Sequence, residues 1–227
     1  MNSHNRFFLN KKILIYGLGK SGICSFYFLK KNNFVYLYDD NKRVLRIKKF
    51  KKFLLKKINQ VNFDYIVISP GININNCDLK NYLKKNQKKI ITDFDIFYDC
   101  HKKNKIIAIT GTNGKSTTAK LLFQILKKEK KDVRLCGNIG RPILLEKKIN
   151  NKTIFVIEAS SYQIDYSKNF KANHAVILNI SPDHLERHKS IKKYVYAKLK
   201  LIKNQTKHDF AYINNGNKYL KKMINKS

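Results

Sequence analysis

Short apolar runs alternate with amphipathic stretches along this chain, and each run closes on glycine or polar residues. Lys12-Ile13-Leu14-Ile15-Tyr16 has the length of a strand, and after a glycine-rich turn an apolar stretch reaches Leu29 with the density of a buried helix. Residues 34–38 predict a second strand. Residues 44–58 alternate apolar and lysine positions at helical spacing and predict a solvated helix over one sheet face. A third strand over 63–68 is closed by Ser69-Pro70-Gly71-Ile72. A helix over 78–85, a brief strand at 89–91 and a short helix over 93–100 follow. His101-Lys102-Lys103-Asn104 is a polar break, after which the sheet pattern restarts, so the chain reads as two domains, 1–104 and 105–227.

In the second half, strands are predicted at 106–110, 133–136, 153–157, 174–179 and 209–213. Helices are predicted at 115–128, 143–149 and 191–203, with a lysine-rich helical end. Strands alternating with helices give an α/β fold with a mostly parallel sheet.

Composition changes this picture in one respect. The formal net charge is +33, a balance that ordinarily points to nucleic acid or an anionic membrane. The lysines are scattered as Lys-Lys pairs among Asn and Ile, with no Arg-rich block and no basic module interleaved with aromatics. The excess therefore reads as a coding bias on a solvated surface, and neither nucleic acid nor membrane is expected as a partner. Cys24, Cys77, Cys100 and Cys136 form no C-x-x-C pair and no disulfide frame. Residues 1–12 hold no apolar core of signal-peptide length and no later run approaches a membrane span, so a cytoplasmic setting is expected.

The chemistry gathers where strands end. After the strand at 106–110 comes Gly111-Thr112-Asn113-Gly114-Lys115-Ser116-Thr117, leading straight into a helix. Unpaired amides and the positive helix end then face the turn, which favours a phosphate chain. Lys115 adds a point charge for the β/γ-phosphates, and Ser116 offers a hydroxyl to Mg²⁺. The first glycine of the general nucleotide-loop pattern should fall at 109, where Ile109 stands. A plain turn before a helix is the alternative, and Lys115-Ser116 directly after the second glycine favours the nucleotide.

Gly17-Leu18-Gly19-Lys20-Ser21-Gly22 is a G-x-G-x-x-G between strand and helix, and Asp39-Asp40 closes the next strand. A nicotinamide cofactor, a nucleotide sugar and a structural turn all remain open for it. Glu158 ends an apolar strand beside the phosphate loop and can hold the metal that bridges phosphates. His184 and His188 lie four apart, a zinc spacing, but no third ligand has matching spacing. A single His184 ligand to a magnesium-type ion, with His188 near the surface, suits a nucleotide site better. His4, His101, His174 and His208 carry no pattern. By spacing alone Lys198 is an ordinary helical lysine.

Taken in order, Gly111-Thr112-Asn113-Gly114-Lys115-Ser116-Thr117, Gly137-Asn138-Ile139-Gly140, Glu158-Ala159-Ser160-Ser161-Tyr162-Gln163, Leu178-Asn179-Ile180-Ser181-Pro182-Asp183-His184-Leu185-Glu186-Arg187-His188 and Ala197-Lys198-Leu199 resemble the Mur ligases of peptidoglycan synthesis. The second and third motifs point to the member that joins D-glutamate to UDP-N-acetylmuramoyl-L-alanine. The resemblance implies a Rossmann-like UDP-binding domain followed by an incomplete P-loop-type ATPase domain, with the C-terminal amino-acid-binding domain absent. It implies ATP and Mg²⁺, and a ligation through an acyl phosphate. Gly17, Leu18, Gly19, Ser21 and Gly22 would hold the UDP part and Asp39 its uracil, while Asn138 and Ser160 would face the muramoyl-alanine end. Lys115 would neutralise the transferred phosphoryl, and Ser116, Glu158 and His184 would place the metal, joined by Lys198 as a carbamate formed with CO₂.

A chain of this extent is expected to need the missing part for turnover, and one half of a split enzyme, completed by a second polypeptide, is an alternative. A noncatalytic nucleotide-sugar-binding relic and a basic nucleic-acid-binding protein are the other readings.

Overall fold

The apolar runs become the central strands of two parallel sheets. The computed structural model describes residues 8–224, so His4 and most of the N-terminal stretch lie outside the described residues. The chain divides into two compact units. The first ends at Cys100 and takes in Tyr166–Lys168; the second holds His101–Asp165 and continues from Asn169.

In the first unit, β1 (Lys12–Tyr16), β2 (Phe34–Tyr38), β3 (Tyr65–Ile68) and β4 (Ile90–Ile91) line up in the order β2-β1-β3-β4, with every pairing parallel. Ile13, Leu14, Ile15 and Tyr16 are all buried, because a central parallel strand is covered on both faces. One face packs Leu14, Tyr16, Ile66 and Ile68 with Phe63 and Leu83. The helices are α1 (Lys20–Leu29), α2 (Lys42–Leu45), α3 (Lys80–Lys85) and α4 (Asp93–His101).

The helix expected over 44–58 is not there. Short α2 is followed by 3₁₀ turns at Lys48–Phe53 and Ile58–Gln60. Ile47, Phe50 and Phe53 recur every three residues, the period of a 3₁₀ turn rather than of an α-helix. Phe50 is buried and stacks edge-on against Phe26, and Leu55 N then donates to Leu37 O at 3.0 Å, drawing the chain out along β2.

In the second unit, β5 (Lys105–Thr110), β6 (Val133–Gly137), β7 (Ile154–Glu158), β8 (His174–Ile177) and β9 (Phe210–Ile213) form a parallel sheet in the order β6-β7-β5-β8-β9. The helices are α5 (Lys115–Lys128), α6 (Ser161–Asp165), α7 (Leu185–His188), α8 (Ile191–Lys203) and α9 (Lys218–Ile224). Helix α5 covers one face through Ala119, Leu122, Phe123 and Leu126. Tyr194 and Val195 of α8 pack with Ile177, Ile180 and Leu220.

The helix expected over 143–149 is a single 3₁₀ turn, Ile143–Leu145. Beyond it Glu146 turns to extended backbone and its carboxylate meets Arg134 Nε at 3.6 Å, while Arg134 also donates to Lys148 O, so the segment follows β6 instead of coiling. Among the described residues no helix is long and apolar enough to cross a membrane.

Candidate functional site

Strand β5 is where the second sheet reverses direction. From it the chain goes to β6 and β7 on one side and then to β8 and β9 on the other, and ligands bind beyond the carboxyl ends of strands at such switch points. The loop at 111–114 leaves β5 at that point. Gly114 has φ +80°, a left-handed value that favours glycine, and α5 begins directly after it. The first intrahelical bond of α5 runs from Thr118 N to Gly114 O. The amides of Lys115, Ser116 and Thr117 therefore precede the helical ladder, as an anion cradle requires.

The loop is held from β8's side. Thr112 N donates to Asn179 O at 3.0 Å and Asn113 N to Asn179 Oδ1 at 2.9 Å, while Asn179 Nδ2 returns a bond to Asn113 O at 3.0 Å. Thr112 Oγ1 accepts from Ser181 N and lies 3.2 Å from Tyr194 Oη. Lys115 folds back, donating to Thr112 O at 2.7 Å.

The strand ends converge on one carboxylate. Ser116 Oγ donates to Glu158 Oε2 at 2.6 Å and Asn138 Nδ2 to Glu158 Oε1 at 2.8 Å, and Glu158 is 1 % exposed. Gly137 makes the second contact possible. At φ +104° it passes so close to β7 that an added Cβ would stand 2.3 Å from Glu158 O, and the next residue, Asn138, donates its amide to that oxygen at 2.9 Å.

Lys198 lies 1 % exposed on α8, with Nζ donating to Gly111 O at 2.8 Å and resting 4.7 Å from the centre of the Tyr194 ring. Burial, with the Lys115 charge adding to it, pulls its pKa from 10.5 down to about 7. Spacing does mark this residue after all, because Tyr194, Lys198 and Leu201 share the buried stripe of α8. A lysine on a core-facing stripe is the signal that was there to be read.

The histidines separate. His184, at φ +52° before α7, is bonded to Asp183 and faces Glu186, with its ring 4.8 Å from Tyr162 and 6.4 Å from Tyr194. His188 is 5 % exposed, contrary to the surface position expected of it, because α7 turns it inward to Ser161 Oγ at 3.0 Å. Burial lowers its pKa, favouring the neutral ring. Ser160 precedes α6 and exchanges bonds with Gln163 in a capping-box arrangement. Among the described residues no three His, Cys, Asp or Glu side chains gather as a metal cage. Asn179 and Tyr194, which pin the loop, went unremarked as site residues in the sequence; their positions just past a strand and on a helix stripe carry no chemical signature of their own.

In the first unit the turn after β1 is shaped by packing. An added Cβ at Gly22 would meet Gly17 O at 1.8 Å, so α1 sits against the turn only with glycine there. Gly19 has nothing within 4 Å of its missing side chain, and leaves room for a ligand to approach the backbone. Asp39 accepts from Leu18 N at 2.6 Å and from Asn41 N at 2.8 Å, which ties the end of β2 to the turn. Ser21 Oγ donates to Asp93 Oδ2 at 2.7 Å, and burial raises the Asp93 pKa.

Residues 109–227 match the sequence model of the Mur ligase middle domain. The UDP-N-acetylmuramoylalanine--D-glutamate ligase of Caldicellulosiruptor saccharolyticus is 36 % identical over 230 residues, covering 94 % of this chain and 50 % of that protein. The enzyme of the same name from Rickettsia conorii is 38 % identical, covering 99 % of this chain and 44 % of that protein. This chain thus spans about half the length of the curated relatives it matches. Among solved structures, UDP-N-acetylmuramate:L-alanyl-gamma-D-glutamyl-meso-diaminopimelate ligase from Neisseria meningitides aligns with a TM-score of 0.60 at 15 % identity, over 96 % of this chain and 75 % of that one. UDP-N-acetylmuramate-alanine ligase from Thermotoga maritima aligns at 0.53 and 21 % identity, over 92 % and 50 %. At these identities the likeness is one of fold.

Proposed function

We infer that this chain, which belongs to the Mur ligase family, binds UDP-N-acetylmuramoyl-L-alanine and ATP in the cytoplasm and serves the addition of D-glutamate to the alanyl carboxylate. Residues 1–104 take the UDP part, on Gly17, Leu18, Gly19, Ser21, Gly22 and Asp39. Residues 105–227 carry the phosphoryl chemistry, with Asn138 and Ser160 toward the muramoyl-alanine end. The observation that carries this reading is the join of Ser116, Glu158 and Asn138 at the head of a phosphate loop, with a buried lysine on the carbonyl of the loop's first residue.

The reaction is a two-step exchange. The alanyl carboxylate attacks the γ-phosphorus of ATP and the bond to the β,γ-bridging oxygen breaks, leaving ADP and an acyl phosphate. The amine of D-glutamate then attacks the acyl carbon, phosphate departs and the amine loses a proton. Lys115, released from Thr112 O, neutralises the charge moving onto the β,γ-bridge, and the amides at the start of α5 hold the phosphate oxygens.

The Ser116 hydroxyl and Glu158 carboxylate are hard oxygen donors 2.6 Å apart, and they fit Mg²⁺, which is held by one or two carboxylates and substrate phosphates rather than by a protein cage. When bound there the ion supplies charge neutralisation for the phosphates and the attacking carboxylate. His184 would complete the protein's share. Lys198, with a pKa near 7, has the unprotonated amine that carbamate formation with CO₂ requires.

Equilibrium titration tests the reading. UDP-N-acetylmuramoyl-L-alanine and a nonhydrolysable ATP analogue should both bind, the latter only with Mg²⁺, and Lys115→Ala should lose the analogue while keeping the UDP compound. Binding of neither compound by the native chain would refute it.

A further inference from the structure

The charge on this protein is not spread as evenly as its lysine pairs imply. Nine of the sixteen residues 42–57 are Lys or Arg and none is acidic, and all nine are exposed. The segment is a fixed part of the first unit. Phe50 is buried beneath it, Phe50 and Phe53 pack against Phe26 of α1 with centroids at 5.6 and 4.8 Å, and Leu54 pairs with Leu37 of β2. Packing on Phe26 also brings in the end of α1, where Lys30 Nζ lies 5.1 Å from the Phe26 ring and 4.6 Å from the Tyr27 ring. Lys49 and Lys52 lie likewise over Phe50 and Phe53. Two basic stretches of chain thus meet at Phe26, and Tyr27 (39 %) and Ile47 (39 %) are exposed apolar side chains among their residues.

We propose that this region, residues 42–57 with the last turn of α1, docks on an anionic lipid surface. Charge complementarity selects an anionic partner, and the form of the region selects lipid among anions. Readers of the major groove insert a helix or a two-strand ribbon, whereas this segment is a four-residue α-helix followed by one 3₁₀ stretch that is packed against a core through Phe50. Seven of its nine cations are lysine, which meets phosphate as a point charge without the bidentate fork that favours arginine in nucleic-acid recognition. A headgroup layer asks only for charges on one side and apolar tips that reach the acyl boundary.

The test is cosedimentation with vesicles of phosphatidylcholine and with vesicles containing phosphatidylglycerol, in CO₂-equilibrated buffer at about physiological ionic strength. The native chain should bind only the phosphatidylglycerol vesicles. A variant carrying Lys48→Gln, Lys49→Gln, Lys51→Gln and Lys52→Gln should bind them several hundredfold more weakly, at about fivefold per lysine. A control carrying Lys127→Gln, Lys128→Gln, Lys130→Gln and Lys131→Gln removes the same charge from exposed positions at the end of α5 and should bind nearly as the native chain does. Equal losses in the two variants would overturn the proposal in favour of diffuse charge. It falls also if the native chain ignores anionic vesicles, or if duplex DNA of equal phosphate concentration strips it from them. Retention of UDP-N-acetylmuramoyl-L-alanine binding by both variants keeps this outcome separate from the ligase reading.

Discussion

Replacing Lys198 by methionine should change how stability depends on pH, and burial of the amine gives the sign and the order of magnitude. The unfolded chain keeps this proton up to about pH 10.5, the folded chain only up to about 7. Between those values folding expels a proton. The unfolded state then binds more protons, so the stability of the native protein rises with pH through that window, and below about pH 7 the penalty is complete and constant. At 1.36 kcal/mol per unit, the penalty is about 4.5 kcal/mol at pH 6 and about 2 kcal/mol at pH 9, a change of about 2.5 kcal/mol from this one group. Lys198 is 1 % exposed, so solvent screening takes little from that figure.

Methionine has similar length and no charge to desolvate, but it loses the bond to Gly111 O, worth about 1 kcal/mol. Lys198→Met should therefore be the more stable protein by about 3.5 kcal/mol at pH 6 and by about 1 kcal/mol at pH 9. Urea unfolding of both proteins at several pH values in CO₂-free buffer measures the difference, in which all other titrating groups cancel. A direct titration of the lysine Cε resonance should give a midpoint near 7 in the native protein. Parallel stability curves for the two proteins, or a resonance that titrates near 10, would refute the reasoning.

Lys115→Ala removes the second cause of the Lys198 shift, so that resonance should titrate higher while ATP-analogue affinity falls at least tenfold. Gly22→Ala should cost several kcal/mol in denaturant stability, because its Cβ would stand 1.8 Å from Gly17 O, whereas Gly19→Ala should fold normally and lose affinity only for UDP-N-acetylmuramoyl-L-alanine. Asn179→Ala frees Asn113 from two bonds and should weaken ATP-analogue binding about thirtyfold by calorimetry, at about 1 kcal/mol for each bond that preorganises the loop, leaving the UDP compound unaffected.

The sheets were legible because a parallel strand buried on both faces leaves an unbroken apolar run, as in Ile13 to Tyr16 and Phe155 to Ile157, which needs no context to be read. Residues 44–58 misled because lysine pairs between apolar residues fit a period of 3 or of 3.6 over so short a span; burial of Phe50 against Phe26, a contact across more than twenty residues, decided for the 3₁₀ turns. The candidate site divides the same way. Ser116 and Glu158 were legible because each ends or begins an element at a place where parallel sheets present chemistry. Asn179 was not, since its role is to bond a loop 66 residues away. Lys198 stands between the two cases. Its pattern, a lysine on the same helical stripe as Tyr194 and Leu201, was present in the sequence, and an unpaired cation in a core position must either find an anion or give up its proton. Among the described contacts its Nζ meets a loop carbonyl and a threonine hydroxyl and no carboxylate, so burial moves the proton's equilibrium and makes the amine available for chemistry at neutral pH.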